Sequence, residues 1–227
     1  MKPIQAVFFD FDNTLVDYVQ SDTLALTKLA NSLPDVDPSK FVTRAVEHIM
    51  AFHSLCDQGK AKPQDMHLYR LSNTVKDFAL NWKPQYLDTY LDSYLHNLFV
   101  FPGVPKMLEQ LQVRTGLISN SYLVEEQKLR IQHSGLASYF DDILVCGEIG
   151  CLKPSPQAFL HLVEKHGLQP DRCIFVGDSE IHDIHGANNA GLISIRLTQD
   201  TETASQADYI ANSISQLSQL LSGLNTK

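Results

Sequence analysis

Four short segments of this chain concentrate side chains that can do chemistry. They are Asp10-Phe11-Asp12-Asn13-Thr14, Ser119-Asn120-Ser121, Cys151-Leu152-Lys153-Pro154-Ser155-Pro156, and Gly177-Asp178-Ser179 with Asp183 following. Taken singly, each is ordinary. A D-x-D at a strand end is often a turn or a helix cap, Ser119 is a good cap for a following helix, and Lys153 beside a proline reads as a solvated loop charge. The combination is not ordinary. Several carboxylates brought to one buried rim repel one another unless a cation lies among them. Asp10, Asp12 and Asp178 offer only oxygen donors, which suits a hard cation. Mg²⁺ fits best, because it keeps some waters and bridges carboxylates to phosphate. Lys153 supplies a second positive charge.

That convergence needs elements to produce it. Short, almost wholly apolar runs occur at Ala6–Phe11, Thr115–Ser119, Asp142–Gly147, Cys173–Gly177 and Ile193–Leu197. Such runs are expected of strands covered on both faces in a parallel sheet. Helical stretches separate the later ones: Val104–Leu111 after Pro102-Gly103, Leu123–Ser134 before Gly135, Pro156–His166 before Gly167, and Ile181–Ala190 before Gly191. Glycine just past a helix takes the left-handed conformation that satisfies the last carbonyls. The alternation predicts a doubly wound, Rossmann-like α/β domain, whose ligands bind beyond the carboxyl ends of the strands. All four chemical segments fall there.

Between the first strand and Phe101 the rhythm stops. Pro38, Pro63 and Pro84 each stand where a helix would begin. Phe41, Val42, Ala45, Ile49 and Phe52 follow helical spacing, as do Leu87, Leu91, Tyr94, Leu95 and Leu98. About four helices are expected, inserted as an all-helical cap over residues 17–99, with the α/β core formed by residues 1–16 and 100–227. Near the end, Ile214, Leu217, Leu220, Leu221 and Leu224 form an apolar stripe, expected to be a last helix packed on the core.

The composition excludes several classes. With 18 Lys and Arg against 26 Asp and Glu, the formal net charge is −8, which argues against a nucleic-acid partner. Hydrophobic residues make up 44% of the chain, enough for a sizeable core. Cys56, Cys146, Cys151 and Cys173 contain no C-x-x-C pair and read as reduced, mostly buried thiols. No signal peptide or membrane-length apolar stretch is apparent, so a cytoplasmic protein with no membrane partner is expected. His182 and His185 share a helical face, but no third histidine or cysteine lies near them. Surface histidines are expected there, not a zinc site.

The segments FFDFDNTLVD, LISNS, LKPSP and VGDSEIHD, in this order, resemble the haloacid dehalogenase (HAD) superfamily of phosphohydrolases. The resemblance covers roughly residues 1–16 and 100–224, and the insertion matches the place of that family's helical cap. It implies a Mg²⁺-dependent phosphatase acting through an aspartyl-phosphate. By similarity, Asp10 is the nucleophile, and Asp12 protonates the leaving alcohol and then deprotonates water. Ser119 and Asn120 bind the phosphoryl group, and Lys153 neutralises its charge. Asp10, Asp178 and the backbone carbonyl of Asp12 hold the metal, while Asp183 positions Lys153 or a metal-bound water.

An aspartate at position 12 favours phosphate ester chemistry over carbon–halogen cleavage, since the dehalogenases proper lack it. The family's phosphomutases share it but usually continue Gly-Val and carry a cap histidine soon after. Here Asn13-Thr14 follows and the first histidine is His48, so hydrolysis is favoured over mutase chemistry. A non-catalytic phospho-accepting or binding protein is the remaining alternative. Receiver domains combine similar groups, but they are about half this length and lack the insertion. A small phosphorylated metabolite is the expected partner, with nucleoside monophosphates, sugar phosphates and small phospho-acids all open. Asp17 and Tyr18 are candidates to face it.

Overall fold

The apolar runs form strands β1 (Ala6–Phe9), β2 (Arg114–Ser119), β3 (Asp142–Val145), β4 (Cys173–Gly177) and β5 (Ile193–Leu197). A computed structural model describes residues 3–200 and 204–225 of the chain. It adds a short sixth strand, β6 (Tyr209–Ala211), which the sequence reading lacks. Three residues on a sheet edge carry too little periodic signal to stand out. All six strands pair in parallel in the order β3-β2-β1-β4-β5-β6. The chain reverses its winding direction between β1 and β4, the place where an open α/β sheet leaves a crevice.

Two compact units result, one comprising Met1–Asp17 with Val100–Lys227 and the other Tyr18–Phe99. In the first, alternate strand residues feed two apolar layers. Val7, Phe9, Leu117, Val176 and Ile195 pack with α5 (Val104–Glu109), α6 (Val124–His133) and α9 (Ile214–Asn225). Ala6, Phe8, Ile118 and Phe175 face the other way, onto α7 (Pro156–Lys165) and α8 (His185–Asn189). The terminal stripe behaves as expected, with Leu217, Leu221 and Leu224 buried in the first layer. Cys146 and Cys173 are buried while Cys56 and Cys151 are partly exposed, and none forms a disulfide.

The second unit holds α1 (Tyr18–Asn31), α2 (Pro38–Asp57), α3 (Met66–Asp77) and α4 (Gln85–His96) around its own core. Pro38 opens α2 as expected, with the Asp37 side chain accepting from the Ser39 and Lys40 backbone N–H groups. Pro63 opens a short 3₁₀ turn before α3, and Pro84 is the cap of α4. Inside this unit the Arg70 guanidinium forks onto Asp22 at 2.7 and 2.8 Å, and the Tyr90 hydroxyl donates to the same carboxylate at 2.6 Å. Tyr18 packs edge-on against Tyr94 within it.

Among the boundaries that differ from the expected ones, three lie at the carboxyl ends of strands. β1 ends at Phe9, two residues early, because the chain turns through Asn13 in the left-handed region (φ 61°). Asparagine tolerates that conformation better than most residues. β3 ends at Val145 and a 3₁₀ turn, Cys146–Ile149, follows. The expected helix at 181–190 begins as a π turn, Glu180–Ile184, before α8.

Candidate active site

Asp10 leaves the end of β1 with its backbone N–H on the Val176 carbonyl of β4 at 2.9 Å, which places it at the reversal point. It is buried, and its two oxygens face different groups. The Lys153 ammonium donates to Oδ1 at 2.6 Å and the Thr14 hydroxyl to Oδ2 at 3.2 Å. Lys153, 3% exposed, donates also to Asp183 Oδ1 at 2.7 Å. Asp178 follows β4, and Thr14 lies between it and Asp10. One oxygen from each of Asp10, Asp178 and Asp183 can be chosen so that all lie within 4.8 Å of one another.

The π turn explains Asp183. The N–H groups of Asp183 and Ile184 both reach the Ser179 carbonyl, and the wider turn rotates Asp183 back over the strand end. There its Oδ2 accepts from the Ser179 N–H at 3.0 Å. Gly177 makes room: a Cβ at that position would lie 2.4 Å from Asp183 Cγ. Gly177→Ala is therefore expected to push Asp183 off Lys153 and to destabilise the protein by about 2 kcal/mol, as overpacking does. A urea midpoint equal to the parent's would show that the carboxylate yields without cost.

Three carboxylates face one ammonium here, leaving two negative charges uncompensated. The proton affinities register that surplus. Burial drives the Asp10 carboxyl well above the usual carboxylate range, more than Lys153 offsets, and Asp183 and Asp178 push the same way. Burial, with Asp183 beside it, pushes Asp178 up to about 6. Burial alone would depress Lys153, but Asp10 and Asp183 outweigh it and hold the ammonium well above its ordinary value. An all-oxygen donor set with a surplus of two charges fits one hard divalent cation. Among the described residues this group of potential ligands contains no histidine. His182 is exposed, and His185 lies 3.6 Å from Glu180.

The other expected residues fall into two places. Ser119 closes β2 and is 1% exposed; its hydroxyl accepts from the Gln127 amide at 2.9 Å. Asp12 stands apart from the carboxylate cluster: Arg130 grips both its oxygens at 2.7 and 2.9 Å, and Gln127 donates to Oδ2 at 2.8 Å. Asn120 has both polar side-chain atoms on the Lys153 backbone, accepting from its N–H at 2.8 Å and donating to its carbonyl at 2.9 Å. Its amide therefore fixes the Lys153 loop with one of its two hydrogens, and the second hydrogen is left to donate.

Two participants escaped the sequence reading, and a third, Thr14, was named there without a role. Thr14 is signalled by its place in D-x-D-x-T. Gln127 and Arg130 sit in an otherwise unremarkable helix, where nothing in VEEQKLRIQH marks which polar side chains turn inward.

Comparison with known proteins bears on the fold and the family. A family model described as "haloacid dehalogenase-like hydrolase" matches residues 4–191. N-acylneuraminate-9-phosphatase of Mus musculus is 26% identical, aligned over 100% of this chain and 97% of that one. Phosphoglycolate phosphatase of Vibrio parahaemolyticus is 28% identical over 95% of each chain. Among solved structures, YfnB from Bacillus subtilis bound to magnesium superposes with a TM-score of 0.80 at 22% identity, covering 97% of this chain and 99% of that one. At that identity the likeness is one of fold.

Proposed function

The chain belongs to the haloacid dehalogenase-like hydrolases, and on that premise we propose that it is a Mg²⁺-dependent phosphatase of a small phosphorylated metabolite. The observation that carries the reading is the cluster at the ends of β1 and β4, where three carboxylates surround one ammonium. The phosphatases among its relatives support the substrate class. No helix among the described residues is long and apolar enough to cross a membrane.

In the proposed reaction an Asp10 oxygen attacks phosphorus, and the bond from phosphorus to the leaving alcohol breaks. Asp12 passes a proton to that alcohol. Water then attacks the aspartyl-phosphate and gives its proton to Asp12, and the bond from phosphorus to Asp10 breaks to release phosphate. Ser119 and nearby backbone N–H groups donate to the phosphoryl oxygens, and Lys153 balances their charge. Asp10, Asp178 and the Asp12 backbone carbonyl would hold Mg²⁺, with Asp183 holding Lys153. The cation supplies the positive charge that lets a phosphate dianion approach a carboxylate. The helical unit is assigned to substrate choice, as a cap.

Two measurements test this. A panel of sugar phosphates, phospho-acids and nucleoside monophosphates should release phosphate with Mg²⁺ and none with a chelator. No release from any member would end the reading. The second uses the Asp178 carboxyl, whose affinity for a proton is raised on folding. Its contribution to metal-free stability is complete below the ordinary carboxylate range and is lost as pH rises through about 6. Mg²⁺ in hundredfold excess over its dissociation constant should therefore raise Tm by about 5 °C at pH 7.5. At pH 4.5 and the same Mg²⁺ concentration the rise should be much smaller, and equal shifts at both would refute the assigned ligands.

A further inference from the structure

We propose that Gln127 and Arg130, one turn apart on α6, are positioning residues that fix the orientation of the Ser119 hydroxyl and of the Asp12 carboxylate. The inference rests on the reading above, in which Ser119 donates to the phosphoryl group and Asp12 moves protons.

Both side chains are buried, Gln127 at 4% exposure and Arg130 at 1%, on the face of α6 that also buries Ile131. Glu125 and Lys128 turn outward. Burying an amide and a guanidinium is unfavourable unless every polar atom finds a partner, and an apolar pair would fill the space with less cost. The partners they do find are two of the residues with proposed chemical roles. Arg130 also lies over the Phe11 ring, 5.6 Å from its centre, between the two aspartates of the first segment.

The direction of each hydrogen bond follows from donor inventory. A guanidinium only donates. The Gln127 atom that Arg130 meets at 2.8 Å is therefore the carbonyl oxygen. That fixes the amide the other way round, with its nitrogen 2.8 Å from Asp12 Oδ2 and 2.9 Å from Ser119 Oγ. An amide NH₂ has two hydrogens and no acceptor. One hydrogen serves each group. Ser119 Oγ must then accept from Gln127, so its own hydrogen cannot point there and is left for a phosphoryl oxygen. On the other side, the Arg130 fork together with Gln127 holds Asp12 in a single orientation. Arg130 thus orients Gln127, and Gln127 links the residue that moves protons to the hydroxyl that binds phosphate.

The test separates the two arms. In Gln127→Leu, binding of inorganic phosphate in the presence of Mg²⁺, read by titration calorimetry, is expected to weaken about tenfold, the value of one hydrogen bond to a charged group. Turnover of 4-nitrophenyl phosphate should fall by that same factor, and turnover of an alkyl phosphate by at least as much, since Asp12 loses a donor as well. The near-isosteric Gln127→Met carries the same test if the leucine variant does not fold. In Arg130→Met, the alkyl phosphate, whose leaving oxygen needs a proton, should lose at least about ten times more kcat/KM than the nitrophenyl ester, which does not. Arg130→Lys should recover part of that difference. A purely structural pair would lower unfolding midpoints but leave phosphate affinity and the ratio of the two substrates at parental values. That result in folded variants overturns the proposal. If Asp10→Asn still turned over, the reaction itself would be misread, while the phosphate titration would still report on Gln127 and Ser119.

Discussion

Asp10→Asn is expected to lower hydrolysis of 4-nitrophenyl phosphate by at least about 10⁴-fold, the scale on which losing a covalent nucleophile acts. The side chain keeps its volume and its carbonyl oxygen, so Lys153 and Thr14 keep an acceptor or partner at that position. What disappears is the charged oxygen able to bond phosphorus. The effect on stability depends on two opposed quantities. Breaking a buried ion pair by removing one partner ordinarily costs about 3–5 kcal/mol, because the other charge is stranded. Here Lys153 retains Asp183 at 2.7 Å, and the cluster carries surplus negative charge from the start. Relief of repulsion therefore wins, and the metal-free variant should melt at or above the parental Tm. Its Tm gain on adding Mg²⁺ should shrink, since one ligand has lost its charge. Turnover above about 1% of the parent in a folded variant would remove Asp10 from the nucleophile's role.

Lys153→Met should do the reverse to the fold. The methionine fills most of the stem's volume but leaves Asp10, Asp178 and Asp183 facing one another with no protein cation among them. A stranded buried charge then costs about 3–5 kcal/mol, read as a lower urea midpoint in chelator at pH 8. The loss should lessen toward pH 5, because Asp10 and Asp178 already hold protons more readily than ordinary carboxylates. Mg²⁺ should restore part of the stability, but kcat should remain about 10³-fold down without the ammonium. Unchanged stability at pH 8 in chelator would mean that the Lys153 contacts do not balance the cluster. The two substitutions thus move stability in opposite directions while both suppress turnover, a pattern that follows from the sign of the surplus charge.

Much of this site could be located before any coordinates. Asp10, Ser119, Lys153 and Asp178 each follow or end an apolar run with the length of a strand. In a parallel sheet those ends share one side. Strand alternation with glycine-ended helices was enough to place them there. Some of the rest was hidden for reasons of scale. β6 is three residues long, and the early end of β1 depends on a single left-handed residue, Asn13. The π turn at Glu180 differs from an α-helix by one residue of register, yet that residue turns Asp183 toward Lys153. Asn120 stood beside Ser119 as a phosphate ligand by position, and only the fold shows that its amide also ties down the backbone of Lys153.

The sequence by itself determined which side chains reach the rim, because strand and helix periods are local and residue types report them directly. Only the tertiary structure decided which charge answers which. Lys153 meets Asp10 across 143 positions and Arg130 meets Asp12 across 118, and each pairing is a matter of less than 3 Å. Electrostatic partnership falls off within a few ångströms, whereas a sequence pattern locates a side chain only to the nearest turn. Hence two aspartates one residue apart, alike on paper, take opposite situations: Asp10 in the cluster with a surplus of negative charge, and Asp12 held by a buried guanidinium.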